Sequence, residues 1–174
     1  MMLARFVIIA LIPEPWAGDI QKLRLEHDHW SRQWLPAHIT IVAPFLARMS
    51  FDLVRDIELA PLEIRGTIGG WGSFLHDRTN TIWLEAGESA TREARVQLAK
   101  AVPGMTGIMT DPAIDWDVPP SHHVTVVNHV PHDVYKDLEA TLRKIDIDGD
   151  FTVPHLSVFH WDRRLGRWLR TRPE

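Results

Sequence analysis

Cysteine is absent from this 174-residue chain, which excludes disulfide bonds and thiolate metal sites. Long apolar runs are absent as well, since no segment approaches the roughly 20 residues that a membrane-spanning helix needs. The stretch Met1 to Ile12 is apolar, but it meets Pro13-Glu14-Pro15 without a small-residue cleavage site, so we expect no signal peptide. These features predict a soluble, cytoplasmic protein that does not enter a membrane.

An excess of positive charge is also missing, because the net charge is -4 and the isoelectric point is near 6.2. Proteins that hold long stretches of nucleic-acid backbone rely on many Lys and Arg side chains. A small substrate, or the end of a longer one, is therefore a better expectation than a long duplex. The length and the 45% hydrophobic content predict a single domain over residues 1–174 with a substantial core. No segment indicates a protein partner, and a monomer is favoured.

One short pattern occurs twice, as His38-Ile39-Thr40-Ile41 and His123-Val124-Thr125-Val126. Residues i and i+2 of a strand point to the same face, so each strand presents one imidazole and one hydroxyl there. The β-branched residues point to the other face, where they can hold the strand against a core. The two copies lie 85 residues apart, about half the chain, as in an internally duplicated domain. Side by side, they would form a small, symmetric polar site.

A His followed two positions later by Ser or Thr occurs at two further places. His29-Trp30-Ser31 lies in a polar stretch that has no strand pattern. His155-Leu156-Ser157 does lie in a strand-like run, and we assign it a structural role. The two Thr-containing copies are better matched to each other than to either of these.

Strands and helices alternate along the chain. Strands are predicted at Phe6 to Ile12, at both motifs, and at Leu62 to Ile68, Thr81 to Leu84, Phe151 to Trp161 and Arg167 to Arg170. The turn between the strands Leu62 to Ile68 and Thr81 to Leu84 is predicted at Gly69 to Gly72 together with Asp77 to Asn80. Pro103 to Pro120 is predicted as a long loop over the site. Four helices are predicted. The first follows Pro15, with Trp16, Ile20 and Leu23 on one face, and the second follows Ser50, with Phe51, Val54 and Ile57 pointing inward. The third runs from Ser89 or Thr91 to about Val102, and the fourth from about Asp133 to Ile145, with Val134, Leu138 and Leu142 on one face.

The paired motifs resemble those of the 2H phosphoesterase superfamily. The segment from Pro36 to Phe45, Pro-Ala-His-Ile-Thr-Ile-Val-Ala-Pro-Phe, resembles the bacterial branch of 2'-5' RNA ligases and RNA 2',3'-cyclic phosphodiesterases. The resemblance covers nearly the whole chain. It implies an α/β (α+β) fold of two pseudo-symmetric lobes, each a small, mainly antiparallel sheet with helices outside, around a central cleft that carries both H-x-T-x strands. It also implies chemistry without metal or cofactor on RNA ends or on small cyclic or 2'-5' linked nucleotides.

Opening a 2',3'-cyclic phosphate needs a base for the attacking water and an acid for the leaving ribose oxygen. Two imidazoles can fill both roles near neutral pH, so His38 and His123 are the candidate catalytic residues, in either order. Thr40 and Thr125 are candidate donors to the non-bridging phosphate oxygens. Ligation would be the reverse reaction at the same site.

Two further residues are candidate substrate contacts. Phe45 follows the first motif and could stack on a base, as aromatic side chains do with unpaired nucleotides, although core packing is an equally good interpretation. Asn128 stands three positions after the Thr of the second motif, where several members of the RNA ligase branch carry an Arg. A neutral amide can still hydrogen-bond a phosphate, but it brings no charge and no bidentate contact.

Two other classes of function remain open from the residues. The pairs His27/His29 and His129/His132 could ligate a metal in a metal hydrolase, although no H-E-x-x-H helix is present. A nucleotide- or RNA-binding module with the same cleft but no turnover is the second alternative. Arg5, Arg163 and Arg164 are conceivable phosphate contacts, for which solvated surface charge is the simpler interpretation.

Overall fold

Eight strands form two four-stranded antiparallel sheets in the computed structural model, which describes residues 4–29, 35–75, 78–105, 108 and 123–171. The strands are β1 (Ala4–Leu11), β2 (His38–Ala47), β3 (Ile64–Leu75), β4 (Thr79–Glu85), β5 (His123–Pro131), β6 (Gly149–Val153), β7 (Leu156–Asp162) and β8 (Arg167–Arg170). Sheet 1 has the order β2-β1-β7-β8, and sheet 2 has the order β5-β4-β3-β6. All neighbouring strands pair antiparallel.

Four α-helices and one 3-10 turn complete the described part of the chain: α1 (Trp16–His27), α2 (Phe51–Leu59), α3 (Glu88–Ala101), Pro103–Met105 as the 3-10 turn, and α4 (His132–Leu142). The helices α1 and α4 contact β5, α3 contacts β2 and β3, and α2 contacts β7. Two antiparallel sheets with helices packed on them confirm the predicted two-lobed α+β fold. None of these helices is long and apolar enough to cross a membrane.

The central strand of sheet 1, β1, is buried on both faces. On one face Phe6, Ile8 and Ala10 join the main core, which also contains the apolar residues of both motif strands. On the other face Val7 and Ile9 form a separate small cluster with Phe159 of β7. A strand that is covered on both sides has a continuous apolar sequence, which is why Phe6 to Ile12 shows no alternation.

The strand β3 continues through the glycine-rich segment that we expected to be a turn. Gly70 has a φ of 69°, in the left-handed region, and the register with β4 shifts between Gly69 and Trp71. This is a β-bulge, for which glycine is suited because it has no Cβ to clash at positive φ. The prediction of a turn at Gly69 to Gly72 was therefore wrong, and the hairpin with β4 is longer than predicted.

The predicted strand Phe151 to Trp161 is two strands in different sheets. It breaks at Pro154 and His155, so β6 pairs with β3 in sheet 2 while β7 pairs with β1 in sheet 1. Proline has no backbone N–H to donate to a sheet, which favours a break there. Most of the predicted loop 103–120 lies outside the described residues.

The predicted helices are present, with two corrections to their buried faces. Ser50 caps α2 by accepting a hydrogen bond from the Leu53 backbone N–H at 3.1 Å. Phe51, however, is 59% exposed instead of inward, because it occupies the first position of the helix. In α4, Val134 is 37% exposed and Tyr135 is buried in its place, with its hydroxyl donating to Ser73 Oγ at 2.6 Å.

Candidate active site

The two motifs occupy the edge strands of the two sheets. His38 opens β2, the edge of sheet 1, and His123 opens β5, the edge of sheet 2, and these two edge strands contact each other. Both His residues, together with Thr40 and Thr125, are half-buried. The residues between and after them are fully buried in the main core: Ile39, Ile41, Val124 and Val126. The predicted division of each motif into a polar face and a core face is therefore confirmed.

A short hydrogen bond orients the ring of His38. Its Nδ1 lies 2.7 Å from the backbone carbonyl oxygen of Pro36, which can only accept, so Nδ1 carries the hydrogen. Burial, and to a smaller extent the charges of Arg24 and His123, lower the pKa of His38 from 6.5 to about 4, against the opposing effect of the Pro36 hydrogen bond. At neutral pH the ring is therefore uncharged, with its Nε2 lone pair as the acceptor.

The ring of His123 packs against two aromatic side chains. Its centroid is 4.8 Å from that of Phe74, edge to face, and 5.6 Å from that of Trp83. A Cβ on Gly72, the partner of Trp83 across β3 and β4, would come within 2.2 Å of the indole, so the glycine makes room for it. Ring contacts of this kind fix the orientation of the His123 imidazole. The two imidazoles have different surroundings.

A buried arginine from α1 links the two motifs. Arg24 is 4% exposed, and both its Nε, at 3.0 Å, and its Nη2 donate to the carbonyl oxygen of Thr125. Its Nη1 donates to the carbonyl oxygen of Leu35, at 3.2 Å, three residues before His38. Burial lowers the pKa of Arg24 to about 10, against the opposing charge of Asp28, so the guanidinium is charged at neutral pH. One side chain thus holds the backbone of the second motif against the segment that precedes the first.

Sequence reasoning missed Arg24, although a signal for it exists. The residue lies four positions after Ile20 and directly after Leu23, both of which are buried on the inner face of α1. A charged residue at i+4 from a core position faces inward with it. An inward Arg needs several hydrogen-bond acceptors, and in a protein these are often backbone carbonyls.

The chain matches the model of a known protein family. The model of the 2'-5' RNA ligase superfamily matches residues 12–165, a range that includes both motifs. The chain belongs to this superfamily. A search of the curated proteins finds no significant match.

Several solved structures are similar to this chain. TT0787 of Thermus thermophilus has a TM-score of 0.63 and 16% identity. E. coli LigT complexed with 3'-AMP has a TM-score of 0.55 and 14% identity, and LigT complexed with NADP+ has a TM-score of 0.57 and 15% identity. Each comparison covers 98% of this chain and 95% of the other. At these identities the likeness shows the shared fold alone.

The structure places Asn128 in β5, three positions after Thr125. Its Oδ1 accepts hydrogen bonds from Thr81 Oγ1, at 2.7 Å, and from the backbone N–H of His129, at 3.0 Å. Its own backbone N–H donates to Asp28 Oδ1 at 3.3 Å. The amide oxygen is thus engaged within the protein, and only the amide nitrogen is retained as a proposed substrate contact.

Phe45 lies in the hydrophobic core and not with the motif side chains. It is 4% exposed, and its ring centroid is 6.2 Å from that of Phe6. A ring that is covered on this scale offers no face on which a base could stack. We therefore exclude Phe45 from the proposed site and assign it to core packing.

One of the histidines considered as metal ligands is hydrogen-bonded to a neighbouring side chain. His132 Nδ1 hydrogen-bonds with Asn80 Nδ2 at 3.0 Å, and His129 is exposed in β5 with a φ of 56°. Across the described ranges of the chain, no group of three or more His, Asp or Glu side chains is placed to share a metal ion.

Proposed function

We propose that this protein is a metal-independent phosphodiesterase that opens 2',3'-cyclic phosphates, or 2'-5' linked phosphodiesters, of RNA ends or small nucleotides. The observation that carries the proposal is the pairing of a neutral His38, whose Nε2 lone pair is the acceptor, with His123, whose ring packs against Phe74 and Trp83. The two residues lie on contacting edge strands, and each has a Thr on the same face. Acid–base catalysis at a phosphorus atom requires one group that accepts a proton from the attacking water and a second group that donates a proton to the leaving oxygen on the opposite side.

The proposed reaction assigns one proton transfer to each His. His38 Nε2 removes a proton from water while the water oxygen bonds to phosphorus. The bond from phosphorus to one ribose oxygen breaks, and protonated His123 donates its proton to that oxygen. Thr40 and Thr125 donate hydrogen bonds to the non-bridging oxygens. Departure of the 3' oxygen leaves a 2'-phosphate. The same steps with a 5'-hydroxyl in place of water form the bond from that oxygen to phosphorus, break the bond to the 3' oxygen and leave a 2'-5' linkage.

Superfamily membership supports the reaction class, and the solved relatives support the ligand class. LigT structures include complexes with 3'-AMP, NADP+ and ATP, all of which are nucleotides. A further solved chain with a TM-score of 0.51 and 17% identity is described as a phosphoesterase. We extend nucleotide binding from these proteins to this one as part of the proposal.

The test is hydrolysis of the four nucleoside 2',3'-cyclic monophosphates, and of a short RNA with a cyclic end, in the presence of excess EDTA. We expect conversion to the 2'-phosphate at the same rate with and without the chelator, because the two imidazoles supply both proton transfers. Product is identified by ³¹P NMR. Loss of turnover with EDTA would favour the metal hydrolase, and tight product binding without any turnover would favour a binding module.

The pH dependence of kcat/KM should report the ionisation of His38. The base must be uncharged, and its pKa is lowered to about 4, so the rate is expected to be retained from neutral pH down to about pH 5. The rate then falls tenfold per pH unit below about pH 4, as His38 becomes protonated. The measurement is kcat/KM as a function of pH with adenosine 2',3'-cyclic monophosphate as the substrate. A fall of kcat/KM that begins near pH 6.5 would contradict the assignment of His38 as the base.

A further inference from the structure

The strand of the first motif carries a β-bulge directly after its Thr. Thr40 and Val42 pair with consecutive residues of β1, which makes Ile41 an extra residue in β2. Ile41 and Val42 are both fully buried, so two successive side chains lie in the core, which breaks the alternation of a regular strand. A bulge bends its strand and redirects the side chains beside it. The direction of His38 and Thr40 therefore depends on the backbone at Ile41.

The strand of the second motif has the same irregularity at the same motif position. Thr125 and Val127 pair with consecutive residues of β4, so Val126 is the extra residue in β5. Val126 and Val127 are again both fully buried. In each copy of H-x-T-x the extra residue is the fourth of the pattern. The two motifs thus share a backbone irregularity as well as the His and the Thr, and bulges are common beside active sites.

An arginine from α3 donates to the backbone at the first bulge. The Nε of Arg95 donates to the carbonyl oxygen of Ile41, the extra residue itself. Because β2 is an edge strand of sheet 1, it pairs with a neighbouring strand on one side only. Backbone groups on the other side of such a strand need partners from elsewhere in the fold. The helix α3 contacts β2, and the half-buried side chain of Arg95 supplies a donor there.

Arg24 contacts the second bulge in the corresponding way. Its guanidinium donates to the carbonyl oxygen of Thr125, the residue directly before the extra one. The helix α1 follows β1 of sheet 1 in the chain, and Arg24 reaches the edge strand of sheet 2. The helix α3 follows β4 of sheet 2, and Arg95 reaches the edge strand of sheet 1. Each half of the chain thus supplies a donor to the motif of the other half.

We propose that Arg95 is a positioning residue for His38 and Thr40. Arg24 and Arg95 then form a reciprocal pair, in which each arginine fixes the bulge of the motif in the other sheet. This inference rests on the proposed function, since it takes His38 and Thr40 to act on the substrate. A misplacement of about 1 Å can cost about a hundredfold in rate. By fixing the backbone at Ile41, Arg95 affects the rate without touching the substrate.

The first measurement is hydrolysis of adenosine 2',3'-cyclic monophosphate by Arg95→Met. We expect kcat to fall about tenfold to a hundredfold while KM stays within about threefold, because the change affects the geometry of proton transfer more than the binding of the nucleotide. Arg95→Lys should recover most of the lost rate, since the hydrogen bond to Ile41 needs a single N–H donor. Circular dichroism establishes that each variant is folded.

Hydrogen exchange of the backbone amides, followed by mass spectrometry, tests the positioning independently of turnover. In Arg95→Met the peptide that contains residues 39–42 should exchange at least about tenfold faster than in the wild type, because the bulge has lost its donor. The peptide that contains residues 124–127 should keep its exchange rate. Arg24→Met should accelerate exchange at residues 124–127, since the donor to Thr125 is removed.

The matched control is Lys100→Met, which removes an exposed cation from the same helix. Its kcat, and its exchange at residues 39–42, should equal those of the wild type. A wild-type kcat in Arg95→Met, no recovery in Arg95→Lys, unchanged exchange at residues 39–42, or equal acceleration at both motifs would overturn the inference. Failure of the proposed function has a different signature, namely no turnover by the wild type together with faster exchange at residues 39–42 in Arg95→Met.

Discussion

His38→Ala and His123→Ala are each expected to lower kcat for hydrolysis of a 2',3'-cyclic nucleotide by about a hundredfold to ten-thousandfold, the usual contribution of a positioned acid or base. His38 loses the Nε2 acceptor that is held in place by its hydrogen bond to Pro36. His123 loses the proton donor that packs between Phe74 and Trp83. Because both groups act in one step, the double variant should be little worse than either single variant. Single-turnover rates measure this directly.

The chain contains a matched control for this experiment. His155 is exposed and precedes Ser157 in the same spacing as the motif pairs, but it lies between β6 and β7. His155→Ala should therefore leave the rate unchanged. Circular dichroism and thermal melting establish that each variant is folded. Equal rates in His38→Ala and in the wild type, with both folded, would show that the acid–base assignment is wrong.

Arg24→Met is expected to lower both the stability and the activity of the protein. The substitution removes every hydrogen bond from the guanidinium to the carbonyl oxygens of Thr125 and Leu35. Leaving buried acceptors without donors costs about 1–3 kcal/mol each, so the free energy of unfolding should fall by about 2–4 kcal/mol. Denaturant titration measures this loss, and kcat should fall with it because the two motif strands lose a shared anchor.

The pH profile separates the charge of Arg24 from its role as an anchor. The titratable groups that act on His38 are Arg24 and His123, and both lower its pKa, while Asp28 acts on Arg24. Removing the positive charge in Arg24→Met should therefore move the acidic limb of kcat/KM upward from about pH 4. Arg24→Lys keeps the charge and should keep that limb, although its ammonium cannot reach both carbonyls and part of the stability is lost.

The control for this pair of variants is Arg55→Met, which alters an exposed side chain in a surface ion pair. Such pairs contribute little, so the free energy of unfolding should change by less than about 1 kcal/mol. An acidic limb that stays near pH 4 in Arg24→Met would show that Arg24 acts on the fold alone, and unchanged stability would remove it from the site altogether.

The site could be predicted from the sequence where it depends on local alternation. Each motif places its His and Thr on one face and its β-branched residues on the other, and a strand carries that pattern without help from distant residues. Arg24 could not be predicted in the same way, because its acceptors are 101 and 11 residues away along the chain. Phe45 was assigned to the site because it follows the first motif, whereas its side chain packs on Phe6 of a neighbouring strand.

The fold shows the same division between local and distant causes. Ser50 caps α2 as predicted, since a cap depends on residues within one turn. The assignment of β6 and β7 to different sheets depends on pairings with β3 and β1. In the sequence from Phe151 to Trp161, Pro154 indicates where the strand breaks. Nothing in that segment indicates which neighbouring strand each half pairs with.

Sheet 1 joins the first strand of the chain to one of the last. The strand β1 pairs with β7, which begins at Leu156, while all of sheet 2 comes from the chain between β2 and β7. During synthesis both H-x-T-x segments therefore emerge well before β7 can complete sheet 1 beside β1. The strand that carries His38 gains its finished support only after β7 has left the ribosome. Premature termination between the second motif and β7 would yield a product that holds both imidazoles and lacks the framework that sets them against each other.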